Sequence, residues 1–249
     1  MIDIHSHILP GIDDGAADVD EAVAMCKLAA SSGCDAIIAT PHQRHPNWWN
    51  TEPVKLQILL EKIRKQVGSA IDLHLGAEIR VDRSFTGLLD DLDRAGITPL
   101  AGSSYLLLEF QRRQLDVDPL RVVEATCDAG WRPVIAHPEF IDAFDGNLGL
   151  VRELVAAGAL TQITAMSVTA NFGPRTQDMV LELIEADLTH FVASDSHALR
   201  RRPPGLLKAK AAIVSRWGHN VANRLLVDNP KAVLENRPVA VAASRATTR

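Results

Sequence analysis

The chain has 249 residues, 47% of them hydrophobic and 23% charged, which suits one large α/β domain with a substantial buried core and leaves no room for a second full domain. A formal charge of -5 without a long basic stripe disfavours a surface built to coat nucleic acid, so an anionic substrate needs a local positive site. The opening MIDIHSHILP lacks the basic and apolar segments of a secretory signal, and no apolar run is long enough to cross a bilayer; we expect a cytoplasmic protein that is not an integral membrane protein.

Short apolar or β-branched runs alternate with helical patterns along nearly the whole chain. A first strand is expected at Ile2 to His5. Asp18 then caps a helix through Val19, Val23 and Leu28 that stops at Gly33. The second strand, Ala36 to Thr40, leads into a loop from Arg44 to Glu52 that can lie over a site, then a helix from Pro53 to Val67. Strands at Ile71 to Ala77 and Tyr105 to Phe110 flank a helix expected over Ser84 to Ala95. Asp118 and Pro119 start the next helix, with proline where its missing N–H costs nothing. Strands at Val134 to His137, Leu160 to Ala165 and His190 to Ser194 then alternate with helices at Leu148 to Ala157, Arg175 to Ala186 and Gly205 to Trp217. The periodicity fits a seven-stranded barrel or an open doubly wound sheet. We expect a single-domain α/β fold, a distorted (β/α)7 barrel over residues 1–237, with residues 238–249, which lack apolar periodicity, as a mobile tail.

Chemistry-bearing residues gather where the strands end, the rim at which barrel enzymes assemble their sites. His5 and His7 close the first strand, Asp14 lies in the loop beyond, and His42 follows the second strand. Glu78, Glu109 and His137 follow in turn, and Asp195 with His197 closes the last strand. Residues two apart on an extended chain face the same side, so His5 converges with His7 and Asp195 with His197. Imidazole and carboxylate without thiolate suit manganese, iron or zinc. A lone histidine is more often structural, but nine potential ligands at successive strand ends point to a metal site. His45 is expected to be a solvated loop residue, and His74, His190 and His219 to be structural.

The segment DIHSHILPGIDDGA, with ATPHQ, GAEIRV, LLLEF, AHPE and ASDSH further on, resembles the polymerase-and-histidinol-phosphatase (PHP) superfamily, especially its CpsB/CapC-type bacterial manganese-dependent tyrosine phosphatases. The resemblance covers almost the whole chain. It implies a PHP barrel and three divalent ions, manganese with iron or zinc as alternatives. It places His5, His7, Glu78 and Asp195 on one ion, Glu78 as a bridge to a second held also by Glu109 and His137, and Asp14, His42 and His197 on a third. Three divalent ions bring six positive charges against four carboxylates, Asp14, Glu78, Glu109 and Asp195; with a bridging hydroxide about one net positive charge is left to attract a phosphate dianion. Attack by that metal-bound hydroxide on phosphorus is the implied chemistry.

Arg202, five residues after His197, matches an arginine of the family pattern and is a candidate phosphate clamp, although Arg200 to Arg202 also reads as a solvated basic turn. Related phosphatases often carry arginine where this chain has Phe140; Arg80 is a candidate to compensate. Cysteine chemistry is disfavoured, because the positions six residues after Cys26, Cys34 and Cys127 are Ser32, Thr40 and Pro133, none of them the arginine that cysteine phosphatases use. The implied partner is the phosphotyrosine tail of a tyrosine autokinase that controls capsule or exopolysaccharide synthesis. Rings occur in the family, so a homo-oligomer is among the expectations. A histidinol-phosphate-type small-molecule phosphatase and a phosphotyrosine-docking module without turnover are the competing readings.

Overall fold

A computed structural model describes residues 1–239. Nine strands are present among them: β1 (Ile2–Ser6), β2 (Ala36–Ala39), β3 (His42–Gln43), β4 (Asp72–Leu75), β5 (Glu78–Arg80), β6 (Tyr105–Glu109), β7 (Arg132–Ala136), β8 (Leu160–Thr164) and β9 (Phe191–Ala193). Every pairing between them is parallel, in the orders β1-β2-β4 and β3-β5-β6-β7-β8-β9.

The two sheets are one wall. Pro41, which has no N–H, interrupts the second strand, and Gly76 interrupts the third. Gly76 N–H donates to Ala39 O at 2.8 Å and Glu78 N–H to Pro41 O at 3.1 Å, so the hydrogen bonding runs on across the breaks. A Cβ on Gly76 would lie 2.9 Å from both Ile38 and Leu100 side-chain carbons, which is why glycine stands there. Seven of the nine strands overlap the seven expected ones, and β3 and β5 continue the second and third beyond their expected ends at Thr40 and Ala77. Beyond β9 the chain returns to β1: Asp195 N–H donates to His5 O at 2.9 Å and His7 N–H to Ser196 O at 2.8 Å, closing the barrel.

The helices are α1 (Val19–Ser31), α2 (Pro53–Val67), α3 (Leu92–Ala95), α4 (Pro119–Asp128), α5 (Leu148–Ala156), α6 (Ala165–Val168), α7 (Pro174–Glu185), α8 (Leu207–Trp217), α9 (His219–Asn223) and α10 (Asn229–Leu234). Asp18 caps α1 by accepting Glu21 N–H at 2.9 Å. The helix expected over Ser84 to Ala95 is instead a 3₁₀ turn, Phe85–Leu88, and the single turn α3. Asp91 causes the split: its carboxylate accepts Arg94 N–H at 3.0 Å and starts a new helix there. The segment after Trp217 holds α9, a π-helical turn over Arg224–Asp228 and α10, where no element was expected.

Alternation along the strands makes two apolar layers. Leu106, Leu108, Ile135 and Val192 pack outward under the helices, while Tyr105, Leu107, Val134, Ala136 and Phe191 fill the barrel. Ala232, Val233 and Val239 join this inner cluster. Tyr105 OH donates to Arg237 O at 2.6 Å and accepts Val239 N–H at 3.0 Å. Of the tail expected at 238–249, residues 240–249 lie outside the described residues.

His190 is buried beside β8, where its Nδ1 accepts Thr161 N–H at 3.1 Å. Burial pushes its pKa down to about 4. The unfolded imidazole takes a proton near its ordinary value of about 6.5, so the stability that His190 contributes is complete above that pH and is lost as pH falls towards 4, on the order of 3 kcal/mol in all. His190→Asn keeps an acceptor for Thr161 but cannot titrate. Denaturant unfolding between pH 7.5 and 4.5 is expected to show the parent losing more stability than the variant; parallel profiles would exclude this origin.

Candidate metal centre

The site begins with an irregularity in β1. Ile2 pairs with Ala36 and Asp3 with Ile37, but the next pair is Ser6 with Ala39, so β1 carries one extra residue between Asp3 and Ser6. Strict alternation from inward Ile2 and Ile4 would send His5 and His7 out under the helices. The bulge reverses the parity and brings both imidazoles into the barrel mouth. Side chains hold the irregular stretch: Thr40 Oγ1 accepts Ser6 N–H at 2.9 Å, the Ser6 and Ser196 hydroxyls meet at 2.6 Å, and Asp3 accepts Ser194 N–H at 2.9 Å. Glu109 needs no such device, since it shares the inward face of β6 with Tyr105 and Leu107. His137 and Asp195 reach the mouth through left-handed backbone at φ 33° and 50°.

All nine candidate ligands meet there, with Glu78 at the middle. Its oxygens lie 2.7 Å from His137 Nε2, 2.8 Å from His42 Nδ1, 3.4 Å from His7 Nε2 and 3.5 Å from His5 Nε2. Asp195 Oδ1 is 3.4 Å from His5 Nε2 and 3.5 Å from His7 Nε2. Asp14 Oδ1 stands 3.4 Å from His42 Nε2 and 3.3 Å from His197 Nε2. Three overlapping groups have ligand atoms mutually within 4.8 Å: His5, His7 and Asp195; His42, Glu78 and Glu109; and His7, Asp14, His42 and His197. Compared with the sets implied by resemblance, His7 also approaches the outer group, His42 joins Glu78 and Glu109, and His137 contacts Glu78 without completing a group.

The charges show what the pocket attracts. Burial opposes ionisation of Glu78, yet neighbouring imidazoles hold its pKa well below the usual carboxylate range. Burial opposes charge on His42, yet Glu78 raises its pKa to about 9. The carboxylates that pull protons onto these rings would pull a cation in the same way.

The donor set fits such a cation. His5 Nδ1 donates to Gln162 Oε1 at 2.8 Å and His7 Nδ1 to Asp13 Oδ2 at 2.9 Å, leaving their Nε2 atoms to face each other at 3.2 Å. Two imidazole lone pairs at that distance need a proton or a metal to share. Glu109 Oε2 is buried with no hydrogen-bond donor. Cysteine is excluded from the chemistry: none of the three lines the cavity, and burial pushes the Cys26 and Cys34 thiols up to about 12.

Asp13 and Gln162 are functional residues that sequence reasoning missed. Asp13 also accepts His42 N–H at 3.1 Å and Gly15 N–H at 3.0 Å, so it ties the first loop to two imidazole-bearing segments. Beside Asp14 it offered no separate signal. Gln162 did: a polar residue on the inward face of β8, next to inward Leu160. Gly15 packs so closely on the His7 backbone that a Cβ would fall 2.0 Å from His7 O.

A cavity of about 580 Å³ opens over the cluster, its rim formed by His45, Trp48, Arg80, Arg112, Arg113 and Arg202. Arg202 donates to the Asp195 carboxylate and lies 3.3 Å from His197 Nε2, while Arg80 pairs with Glu109 at 3.2 Å. His45, expected to be a solvated loop residue, is partly exposed in that loop and also stacks with His42 at 5.0 Å and with Trp48 at 4.7 Å. The loop Arg44 to Glu52 is fastened by Arg44 to Asp82 at 3.1 Å and by Asn50 Nδ2, which donates to Ile12 O and His42 O at 3.0 Å. Phe140 lies against His137, ring centroids 5.6 Å apart. Of the remaining histidines, His74 is half-buried and His219, expected to be structural, is exposed where α9 begins.

The chain matches the family described as "Capsular polysaccharide synthesis, CpsB/CapC" over residues 1–235. It is 34% identical over 245 residues to tyrosine-protein phosphatase YwqE of Bacillus subtilis (strain 168), covering 96% of this chain and 93% of that one. Tyrosine-protein phosphatase CpsB of Streptococcus pneumoniae is also 34% identical over 245 residues, covering 94% of this chain and 98% of the relative. In structure it matches, with a TM-score of 0.90, 32% identity and 96% of both chains covered, a chain from crystal structures of YwqE and CpsB, described as unique metal-dependent tyrosine phosphatases. The lactonase Lmo2620 from Listeria monocytogenes matches with a TM-score of 0.59 at 13% identity over 95% of each chain, a likeness of fold alone.

Asp13→Asn is expected to weaken divalent-metal binding by about 10- to 100-fold, because the charge that orients the His7 ring is lost. Chelator competition on the folded variant measures this. Affinity equal to the parent's would exclude an orienting role.

Proposed function

This chain belongs to the CpsB/CapC family of capsular polysaccharide synthesis proteins, and from that premise we propose that it is a metal-dependent tyrosine-protein phosphatase. The observation that carries the reading is the convergence of five imidazoles and four carboxylates at the base of a cavity rimmed by arginines. His5, His7, Glu78 and Asp195 would hold one divalent ion, Glu78, Glu109 and His137 a second, and Asp14, His42 and His197 a third. Manganese suits this set, as iron and zinc do. Bound ions supply an acidified water and positive charge for the phosphoryl oxygens.

The chain's own residues do the positioning. Asp13 and Gln162 keep the Nε2 atoms of His7 and His5 turned inward. Arg202, now held by Asp195, is placed to exchange that carboxylate for a phosphate oxygen. His45 and Trp48 give the cavity a flat aromatic wall, which suits a phenyl ester. Such an ester also needs little acid assistance, since its leaving phenol has a pKa near 10.

The family's connection with capsule synthesis supports the phosphotyrosine tail of an autokinase as the substrate. No helix among the described residues is long and apolar enough to cross a membrane. Three free cysteines suit a reducing compartment, and we place the protein in the cytoplasm.

Initial rates on a phosphotyrosine peptide, a phosphoserine peptide and histidinol phosphate, with chelator-stripped protein before and after manganese, are expected to show manganese-dependent preference for phosphotyrosine. Preference for histidinol phosphate would move the activity to small-molecule metabolism. Metal-loaded protein that binds the phosphotyrosine peptide but turns over no substrate with manganese, iron or zinc would leave a docking module.

A further inference from the structure

We propose that Arg112, laid on the ring of Phe140, is a phosphate-binding residue of this site, gripping the monoester at the cavity rim before and during turnover. The inference rests on the phosphatase reading for its substrate, but on the geometry of this chain for the residue.

Four arginines line the cavity, and they are not equivalent. The Arg80 and Arg202 guanidiniums already have carboxylate partners, Glu109 and Asp195. Arg112 and Arg113 have none within ion-pair distance among the described residues. Of these two, Arg112 is the one held in place. Its backbone carbonyl accepts Asp142 N–H at 2.8 Å, which ties the loop after β6 to the loop after β7. Its guanidinium carbon sits 5.2 Å above the centre of the Phe140 ring.

That ring is itself fixed, edge to face with Phe172 at 5.0 Å and against His137 at 5.6 Å. A chain of ring contacts therefore runs from a candidate metal ligand, His137, through Phe140 to a cation on the rim with no carboxylate partner among the described residues. A guanidinium set over an aromatic face is held by that face and keeps N–H groups for an acceptor. Two parallel N–H donors match two phosphate oxygens. Lysine, a point charge without a plane, would not be held by the ring in this way.

The test uses the full chain loaded with manganese, with inorganic phosphate affinity measured by calorimetry and kcat and KM on p-nitrophenyl phosphate. Arg112→Ala is expected to weaken phosphate binding and raise KM by about tenfold or more, with kcat changed by less than about threefold and metal content unchanged. Arg112→Lys should recover only part of the loss. Phe140→Leu keeps an apolar side chain but removes the shelf, and should produce a similar loss that does not add to that of Arg112→Ala in the double variant.

Phosphate affinity unchanged in Arg112→Ala would overturn the inference, as would losses from Arg112→Ala and Phe140→Leu that simply add. Because phosphate binding is read directly, its failure is distinguishable from failure of the phosphatase reading. A parent protein that hydrolyses phosphotyrosine while Arg112→Ala behaves identically sinks the Arg112 role alone. A parent that hydrolyses no phosphotyrosine, yet loses phosphate binding on Arg112→Ala, sinks the substrate reading and supports the Arg112 role.

Discussion

Between Asp3 and Ser6 the first strand carries one residue more than its neighbour, and this surplus turns His5 and His7 from the helical layer into the barrel. The remaining site geometry is arranged around those two rings. The bulge is costly in regular hydrogen bonds, and the chain meets the cost with short polar side chains: Thr40 for Ser6 N–H, Asp3 for Ser194 N–H, and paired hydroxyls on Ser6 and Ser196. Burial pushes the Asp3 carboxyl pKa up, while the hydrogen bonds from Ser194 favour its carboxylate.

The second constraint is charge. Three buried carboxylates, Glu78, Glu109 and Asp195, with the more exposed Asp14 beside them, repel one another, and that repulsion is relieved by positive charge brought among them. Imidazole protons and the Arg80 and Arg202 guanidiniums supply some of it. A divalent ion supplies it more compactly, and frees the same arginines for an anion arriving from solution. The chain can therefore be acidic overall and still present a local site for phosphate.

Much of this was legible in the sequence, for physical reasons that can be traced residue by residue. Apolar runs marked the strands because both faces of a barrel wall are buried, and Glu109 was legible at the rim because it ends one of them. The expected convergence of His5 with His7 holds, but that both face the barrel follows from the bulge, which depends on pairing with β2 rather than on local pattern. The helix expected over Ser84 to Ala95 failed because Asp91 competes for the backbone. Asp13 could not be told from Asp14, since both are aspartates on one loop and only the fold decides which faces His7 and which faces His42. His45 read as a loop histidine because the ring stack with Trp48 and His42 exists only once the loop is folded over the mouth.

The barrel seam lies among the ligands. Asp195 N–H reaches His5 O and His7 N–H reaches Ser196 O, so the hydrogen bonds that join the last strand to the first also bring together candidate ligands from opposite ends of the barrel sequence. A nascent chain that has not yet presented residues 195–197 carries only fragments of the cluster, with no closed wall around them. Closing the barrel wall and bringing the candidate ligands together are therefore done by the same hydrogen bonds. An ion bound among these ligands would therefore favour the closed barrel as well as serve the chemistry.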